Sequence, residues 1–328
     1  MKIAVLGVGR IGAMHADLIH NQIAGASVAG VFDVFDAPAQ RVADQLNIRK
    51  FSSVEDALAS DADAVAICTS TPTHVNLMTQ AAQAGKAIFC EKPVSLDLAE
   101  VDRGLAAVNA AGVALHIGFN RRFDPSHAAV QKAVADGSVG DLRQVRISSR
   151  DPEPPPIDYV TVSGGIFLDM TIHDFDMARF VTGSEVVEVY AKGSVMVDQG
   201  IGDAGDFDTI SVMLTHANGA VTTIDNCRQS SFGYDQRVEA FGSLGMATSE
   251  NHADNSMVLR GVTGSSAAVV PHFFLDRYIP SYLNQWRDFI AAVETGTPTP
   301  VSGADGRAPL VIGLAAKKSA ETNLPVRL

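Results

Sequence analysis

Three short segments hold side chains whose types and spacing could do chemistry. The first is Gly7-Val8-Gly9-Arg10-Ile11-Gly12, a G-x-G-x-x-G. It follows the apolar run KIAVLG and opens a helical stretch, and the next apolar run ends in Asp33, 21 residues beyond Gly12. In that setting Gly7 permits a tight turn, Gly9 lets the backbone approach a pyrophosphate, and Gly12 lets a helix pack closely on a strand. The helix start at Arg10, Ile11 and Gly12 offers free N–H donors and a favourable dipole to phosphate. A carboxylate at Asp33 can accept hydrogen bonds from both ribose hydroxyls and repels a 2′-phosphate. Val34 and Phe35 offer such a phosphate no cation, and Arg41 is too far along to replace one. The predicted cofactor is NAD rather than NADP.

The second segment is Cys90-Glu91-Lys92-Pro93, at the carboxyl end of an expected strand, where open α/β sheets hold their ligands. Lys92 there could hydrogen-bond a substrate hydroxyl; the plainer alternative is a surface lysine before a helix-starting proline. The third runs from Gly164 to Asp174 and carries Asp169 and His173, four apart, which on one helix share a face. A carboxylate beside an imidazole fixes its tautomer and stabilises the imidazolium, which suits a general base near neutral pH. Asp169 as a helix N-cap, or a plain surface pair, are the alternatives. No third ligand stands at a recognisable spacing, so no metal is expected.

Five near-continuous apolar runs, KIAVLG, SVAGVFD, AVAICT, AIFCE and VALHIGF, must place these groups. Helical stretches separate them, and that alternation predicts a doubly wound parallel sheet with helices on both faces. Beyond Asn120 the texture changes. A helix is expected after Pro125, then a strand at LRQVRISSR, an extended DPEPPP loop, and a helix at MTIHDFDMARFV. Strand-like runs at EVVEVYAKGSV, DTISVMLTH, GAVTTIDNC, QRVEAFG and SMVLRG follow, and turn signals between them predict an open, largely antiparallel sheet. Two helices close the chain. The reading is a nucleotide-binding domain over 1–120 and an α+β substrate-binding and oligomerisation domain over 121–328.

Composition narrows the function classes. Hydrophobic residues make up 46% and charged residues 19% of 328, which excludes extended disorder. A formal charge of −12 gives a polyanion no electrostatic help, so no nucleic-acid partner is expected. No apolar stretch approaches the ~20 residues of a membrane span, so no membrane partner is expected either. The opening MKIAVLGVGRIGAM resembles a signal peptide only superficially, because Arg10 cuts the apolar run. Cys68, Cys90 and Cys227 are too few for a disulfide framework. A cytoplasmic protein is expected.

The order G-x-G-x-x-G, E-K-P, D-x-x-x-H resembles the Gfo/Idh/MocA family of pyridine-nucleotide oxidoreductases, over essentially the whole chain. GFNRRFDPSH (118–127), SRDPEPPP (149–156) and SGGIFLDMTIHDFDMARF (163–180) are similar to its bacterial inositol 2-dehydrogenase branch. The resemblance implies a catalytic set of Lys92, Asp169 and His173. In it His173 takes the hydroxyl proton, Asp169 orients His173, Lys92 binds the same oxygen, and hydride passes to the nicotinamide. It also implies substrate contacts from Arg122, Asp151 and Tyr234, and cofactor contacts from Ser70, His74, Glu91 and Lys92 beside the glycine motif. The implied reaction is oxidation of myo-inositol to its 2-keto form. The alternatives are another cyclitol or sugar as substrate, bond cleavage with transient use of NAD, or a silent sugar sensor. A homo-oligomer, dimer or tetramer, is implied by the same resemblance.

Overall fold

The computed structural model describes all 328 residues. Packing divides the chain into two units, residues 1–120 with 282–308, and residues 121–281 with 309–328.

In the first unit the expected strands form as β1 (Lys2–Leu6), β2 (Ser27–Phe32), β3 (Ala64–Ile67), β4 (Ala87–Cys90) and β5 (Leu115–Ile117). All pairings are parallel, in the order β2-β1-β3-β4-β5. Both faces are covered, so β3 and β4 are buried at every position, which is why they read as unbroken apolar runs. The helices are α1 (Arg10–Gln22), α2 (Asp36–Leu46), the short α3 (Val54–Leu58), α4 (Thr71–Gln83) and α5 (Leu98–Ala111). Asp97 caps α5 by accepting from Ala99 and Glu100, and Gly112 ends it at φ +66°. The strand order reverses between β1 and β3, and a crevice for ligands opens at the carboxyl ends on either side of such a point.

The second unit begins with α6 (Pro125–Ala135), β6 (Leu142–Arg150), α7 (Ile157–Ser163), α8 (Gly165–Asp169) and α9 (Ile172–Thr182). Then come β7 (Val186–Ser194), α10 (Gln199–Asp203), β8 (Thr209–His216), β9 (Val221–Cys227), β10 (Asp235–Gly242), β11 (Met246–Ser249) and a hairpin of β12 (Val258–Gly261) and β13 (Gly264–Ala267). Helices α11 (Phe274–Thr295) and α12 (Gly303–Thr322) and the short β14 (Val326–Arg327) complete the chain. The seven-stranded sheet runs β11-β10-β6-β9-β8-β7-β14, antiparallel except for the β6–β9 pair. Its strands alternate buried and open positions, as a sheet covered on one face must.

The sequence reading ran the second region unbroken from 121 to 328, whereas residues 282–308 pack with the first unit. The reason is apolar: Trp286, Phe289 and Ile290 of α11 are buried in one core cluster with Ile3, Val5 and Phe89. Trp286 stacks on Phe89 with ring centroids 4.3 Å apart.

Candidate active site

The glycine motif forms the turn between β1 and α1. Gly7 sits at φ +83°, and a Cβ there would stand 2.7 Å from Thr69 N at the end of β3. A Cβ on Gly12 would stand 1.8 Å from Gly7 O, so only glycine allows α1 to approach this closely. Gly9 is different: a Cβ there would meet nothing within 4 Å. The first bond of α1 runs from Ala13 N to Gly9 O, and no side chain caps the helix. Its first turn, where a helix end leaves N–H donors for a ligand, lies beside open space at Gly9. This arrangement fits a dinucleotide pyrophosphate.

Asp33, just past β2, is fixed by two backbone donors: Val8 N to Oδ2 at 2.8 Å and Phe35 N to Oδ1 at 2.9 Å. Each oxygen keeps a further lone pair for a ribose hydroxyl. Exposed Val34 and Phe35 follow it, with no cation among them. Asp33→Ala is expected to raise the KM for NAD by ~10-fold or more and to shrink the NAD-over-NADP preference in kcat/KM by a similar factor, the worth of hydrogen bonds to a charged acceptor. An unchanged cofactor ratio would show that Asp33 does not read the ribose.

Lys92 stands two residues past the end of β4 and is half-buried, and its peptide bond to Pro93 is cis. Of the residues expected to line the cofactor, Ser70 is exposed before α4 and its hydroxyl caps nothing, so capping does not explain it. His74 is placed differently. Its ring is buried, Nδ1 lies 2.9 Å from Pro93 O and Nε2 3.0 Å from Thr69 O. Burial pushes its pKa down, opposed by those two carbonyls, and the ring lies between two loops rather than facing outward. Glu91 is likewise turned inward, towards His15 and the Lys92 backbone.

In the second unit Asp169 and His173 do not share a continuous helix. Asp169 is the last residue of α8 and His173 the second of α9. The break falls at Met170-Thr171, where both backbone N–H groups bond Ile166 O and the Thr171 hydroxyl bonds Asn226 Oδ1 at 2.7 Å. Asp169 is therefore not the N-cap of α9; that position is Thr171. The Asp169 carboxylate is held on both oxygens, by Tyr159 Oη at 2.8 Å on Oδ1 and Arg228 Nη1 at 3.1 Å on Oδ2. Arg228 is 1% exposed, and its Nη2 stands 3.8 Å from Asp206 Oδ2. Asp206 in turn accepts from Ile166 N at the start of α8. Tyr159, Arg228 and Asp206 carried no local signal, because they meet Asp169 only through the fold.

Beside His173, Asp174 anchors the first turn of α9 to the sheet. It is fully buried and takes hydrogen bonds from Arg121 Nη1 at 2.7 Å, Ser149 Oγ at 2.7 Å and Asn226 Nδ2 at 2.8 Å. Burial raises its pKa, opposed first by the Arg121 charge. Tyr234 belongs to the same knot: it is 7% exposed, its Oη accepts from Arg121 Nη2 at 3.4 Å, and burial pushes its phenol well up. Arg122 forks onto Asp176 at 2.8 and 2.5 Å, which anchors α9 from a second point. The structure thus gives Tyr234 and Arg122 protein partners, where the resemblance implied substrate contacts.

Asp151 extends β6, with its N–H on Cys227 O at 3.0 Å. Burial pushes its pKa up to about 6, with Arg228 and Arg121 lowering it and Asp169 and Asp174 raising it. A carboxyl whose folded pKa lies above its unfolded value favours the folded state below the unfolded pKa and weakens it as pH rises through the folded one. From 3.8 to about 6, that weakening amounts to roughly 3 kcal/mol above pH 6. Asp151→Asn is therefore expected to raise the Tm at pH 7.5 and to leave it nearly unchanged at pH 4. Equal shifts at both pH values in thermal melts would contradict this.

Comparison with known proteins places the chain among oxidoreductases. A family model described as an oxidoreductase family with an NAD-binding Rossmann fold matches residues 1–119, and a Gfo/Idh/MocA C-terminal domain matches residues 127–248. The chain is 46% identical to a myo-inositol 2-dehydrogenase of Thermotoga maritima, covering 100% of this chain and 98% of that protein. It is 45% identical to an inositol 2-dehydrogenase of Rhizobium meliloti, over 97% of this chain and 96% of that one. A solved structure of a probable dehydrogenase from Thermotoga maritima superposes with a TM-score of 0.98 at 46% identity, covering 100% and 98% of the two chains.

Proposed function

This chain belongs to the Gfo/Idh/MocA oxidoreductase family, and from that premise we propose that it oxidises myo-inositol to 2-keto-myo-inositol with NAD. Identity of 45–46% to two inositol 2-dehydrogenases over nearly the full length of each carries the substrate reading. The physical inventory supports it. A cyclitol is a neutral ring bearing a hydroxyl on every carbon, so it needs many donors and acceptors rather than one strong counter-charge, and an absent hydroxyl leaves a polar partner unpaired.

In this reading His173 takes the proton from the reacting hydroxyl. Asp169, itself steadied by Tyr159 and Arg228, orients His173 and balances the charge it acquires. Lys92 donates a hydrogen bond to the same oxygen and favours its deprotonated form. Asp151 receives a second hydroxyl. The first turn of α1 holds the NAD pyrophosphate and Asp33 the adenosine ribose. Bound NAD supplies the hydride acceptor.

No helix is long and apolar enough to cross a membrane, and all three cysteines are free thiols, which supports a cytoplasmic enzyme. The open face of the seven-stranded sheet exposes Met213, Phe241 and Met246, which supports a homo-oligomer closed over that face. The test is initial-rate NADH formation on myo-, scyllo- and chiro-inositol, glucose and xylose, each with NAD and NADP. Activity led by myo-inositol with NAD is expected. Activity confined to another polyol would move the substrate, and none at all with NAD still bound would overturn the reading.

A further inference from the structure

We propose that His15 is a positioning residue for Lys92, acting through Glu91 as a neutral bridge of one tautomer anchored by Trp286. His15 lies on α1, three residues past Gly12, and is fully buried. Its ring is boxed by Phe89, Tyr282 and Trp286 at centroid distances of 5.3, 5.4 and 5.6 Å, each edge to face. Trp286 Nε1 donates to His15 Nδ1 at 2.8 Å. An indole N–H has no acceptor capacity, so Nδ1 must carry the lone pair and the ring proton must sit on Nε2. That nitrogen faces Glu91 Oε1 at 2.8 Å. The other oxygen of Glu91 accepts the backbone N–H of Lys92 at 3.2 Å.

Direction therefore runs one way along the chain, from indole to imidazole to carboxylate to the peptide of Lys92. Position 118 closes the last side: a Cβ there would stand 2.9 Å from Glu91 Oε2, so Gly118 leaves the carboxylate its place. With His15 removed, Glu91 keeps only one of these two donors and its rotamer is no longer set. The backbone from which the Lys92 side chain departs then loses its fixed acceptor. Trp286 comes from α11, so the C-terminal return of the chain takes part in holding a loop after β4.

The inference rests on Lys92 acting at the substrate hydroxyl, and the experiment separates the two claims. The enzyme and its His15→Gln, His15→Leu, Trp286→Phe, Lys92→Ala and Lys92→Ala/His15→Leu variants are compared by kcat, KM, NAD affinity and ¹⁵N imidazole shifts. A carboxamide can accept from Trp286 and donate to Glu91, so His15→Gln is expected to keep kcat within ~5-fold. His15→Leu is expected to lose ~10–50-fold in kcat, with NAD affinity within a few-fold, and to add less than ~2-fold on top of Lys92→Ala. The shifts should show Nε2 protonated and Nδ1 bare in the parent enzyme, and mixed tautomers in Trp286→Phe. A protonated Nδ1, a wild-type kcat in His15→Leu, or a multiplicative double variant would overturn the proposal. Should His15→Leu not fold, the His15→Gln rescue and the Trp286→Phe spectrum still decide it. A normal kcat in Lys92→Ala would instead remove the premise, leaving the tautomer result to stand by itself.

Discussion

Replacing His173 with alanine is expected to cut kcat by at least ~100-fold, and Lys92→Ala to do the same, with NAD affinity within a few-fold. The asymmetry follows from where the groups sit in the chain. In the proposed reading the NAD pyrophosphate and adenosine ribose are held by the turn after β1, the first turn of α1 and Asp33, none of which these changes touch. In the proposed mechanism both side chains bear on the hydroxyl being oxidised. Loss of the base leaves proton removal to water, and loss of the ammonium leaves the developing alkoxide without its donor. A hundredfold loss corresponds to about 2.7 kcal/mol of transition-state stabilisation. Single-turnover hydride transfer checks the step itself, and a near-normal rate in either variant would take that residue out of the mechanism.

Arg121→Met is expected to have the largest effect on folding. Arg121 and Asp174 form a buried pair, at 6% and 0% side-chain exposure, with Nη1 to Oδ1 at 2.7 Å. Removing one partner of such a pair strands the other charge in a low dielectric, at a cost of about 3–5 kcal/mol. The sign of its pH dependence follows from Asp174. Burial already raises the pKa of that carboxyl and Arg121 opposes the rise, so without Arg121 it climbs further. The folded variant is then favoured where Asp174 can be protonated and is weakened as pH rises. Chemical denaturation at pH 5 and pH 8 should show the larger loss at pH 8. A pH-independent deficit would mean that Asp174 is not the charge left behind. Because Asp174 adjoins His173 and pins the first turn of α9, kcat should fall as well.

The nucleotide-binding half is legible in the sequence because its determinants are local. Strands buried on both faces leave unbroken apolar runs, and a turn that must pass close to another backbone leaves glycines at set spacings. The antiparallel sheet is legible for a related reason, since β8 and β10 alternate along their length. What could not be read depends on contacts between distant residues. The spacing of Asp169 and His173 is helical, yet the helix breaks between them because Thr171 bonds Asn226, 55 residues away. His74 has the look of a loop histidine poised for a ligand, but two carbonyls brought together by the fold occupy its ring. Arg228 stands 59 residues from the Asp169 it steadies. Trp286 reads as one apolar position of an amphipathic helix, with nothing local to place it against His15, 271 residues earlier.

The most direct test of the central claim is to follow the hydrogen on carbon 2 of the substrate. Myo-inositol deuterated at that carbon, incubated with the enzyme and NAD, should give NADH carrying one deuterium at C4 of the nicotinamide ring. The keto product should form in equal amount. NADH without deuterium would contradict hydride transfer from that carbon, and a product formed with no net NADH would contradict its net oxidation.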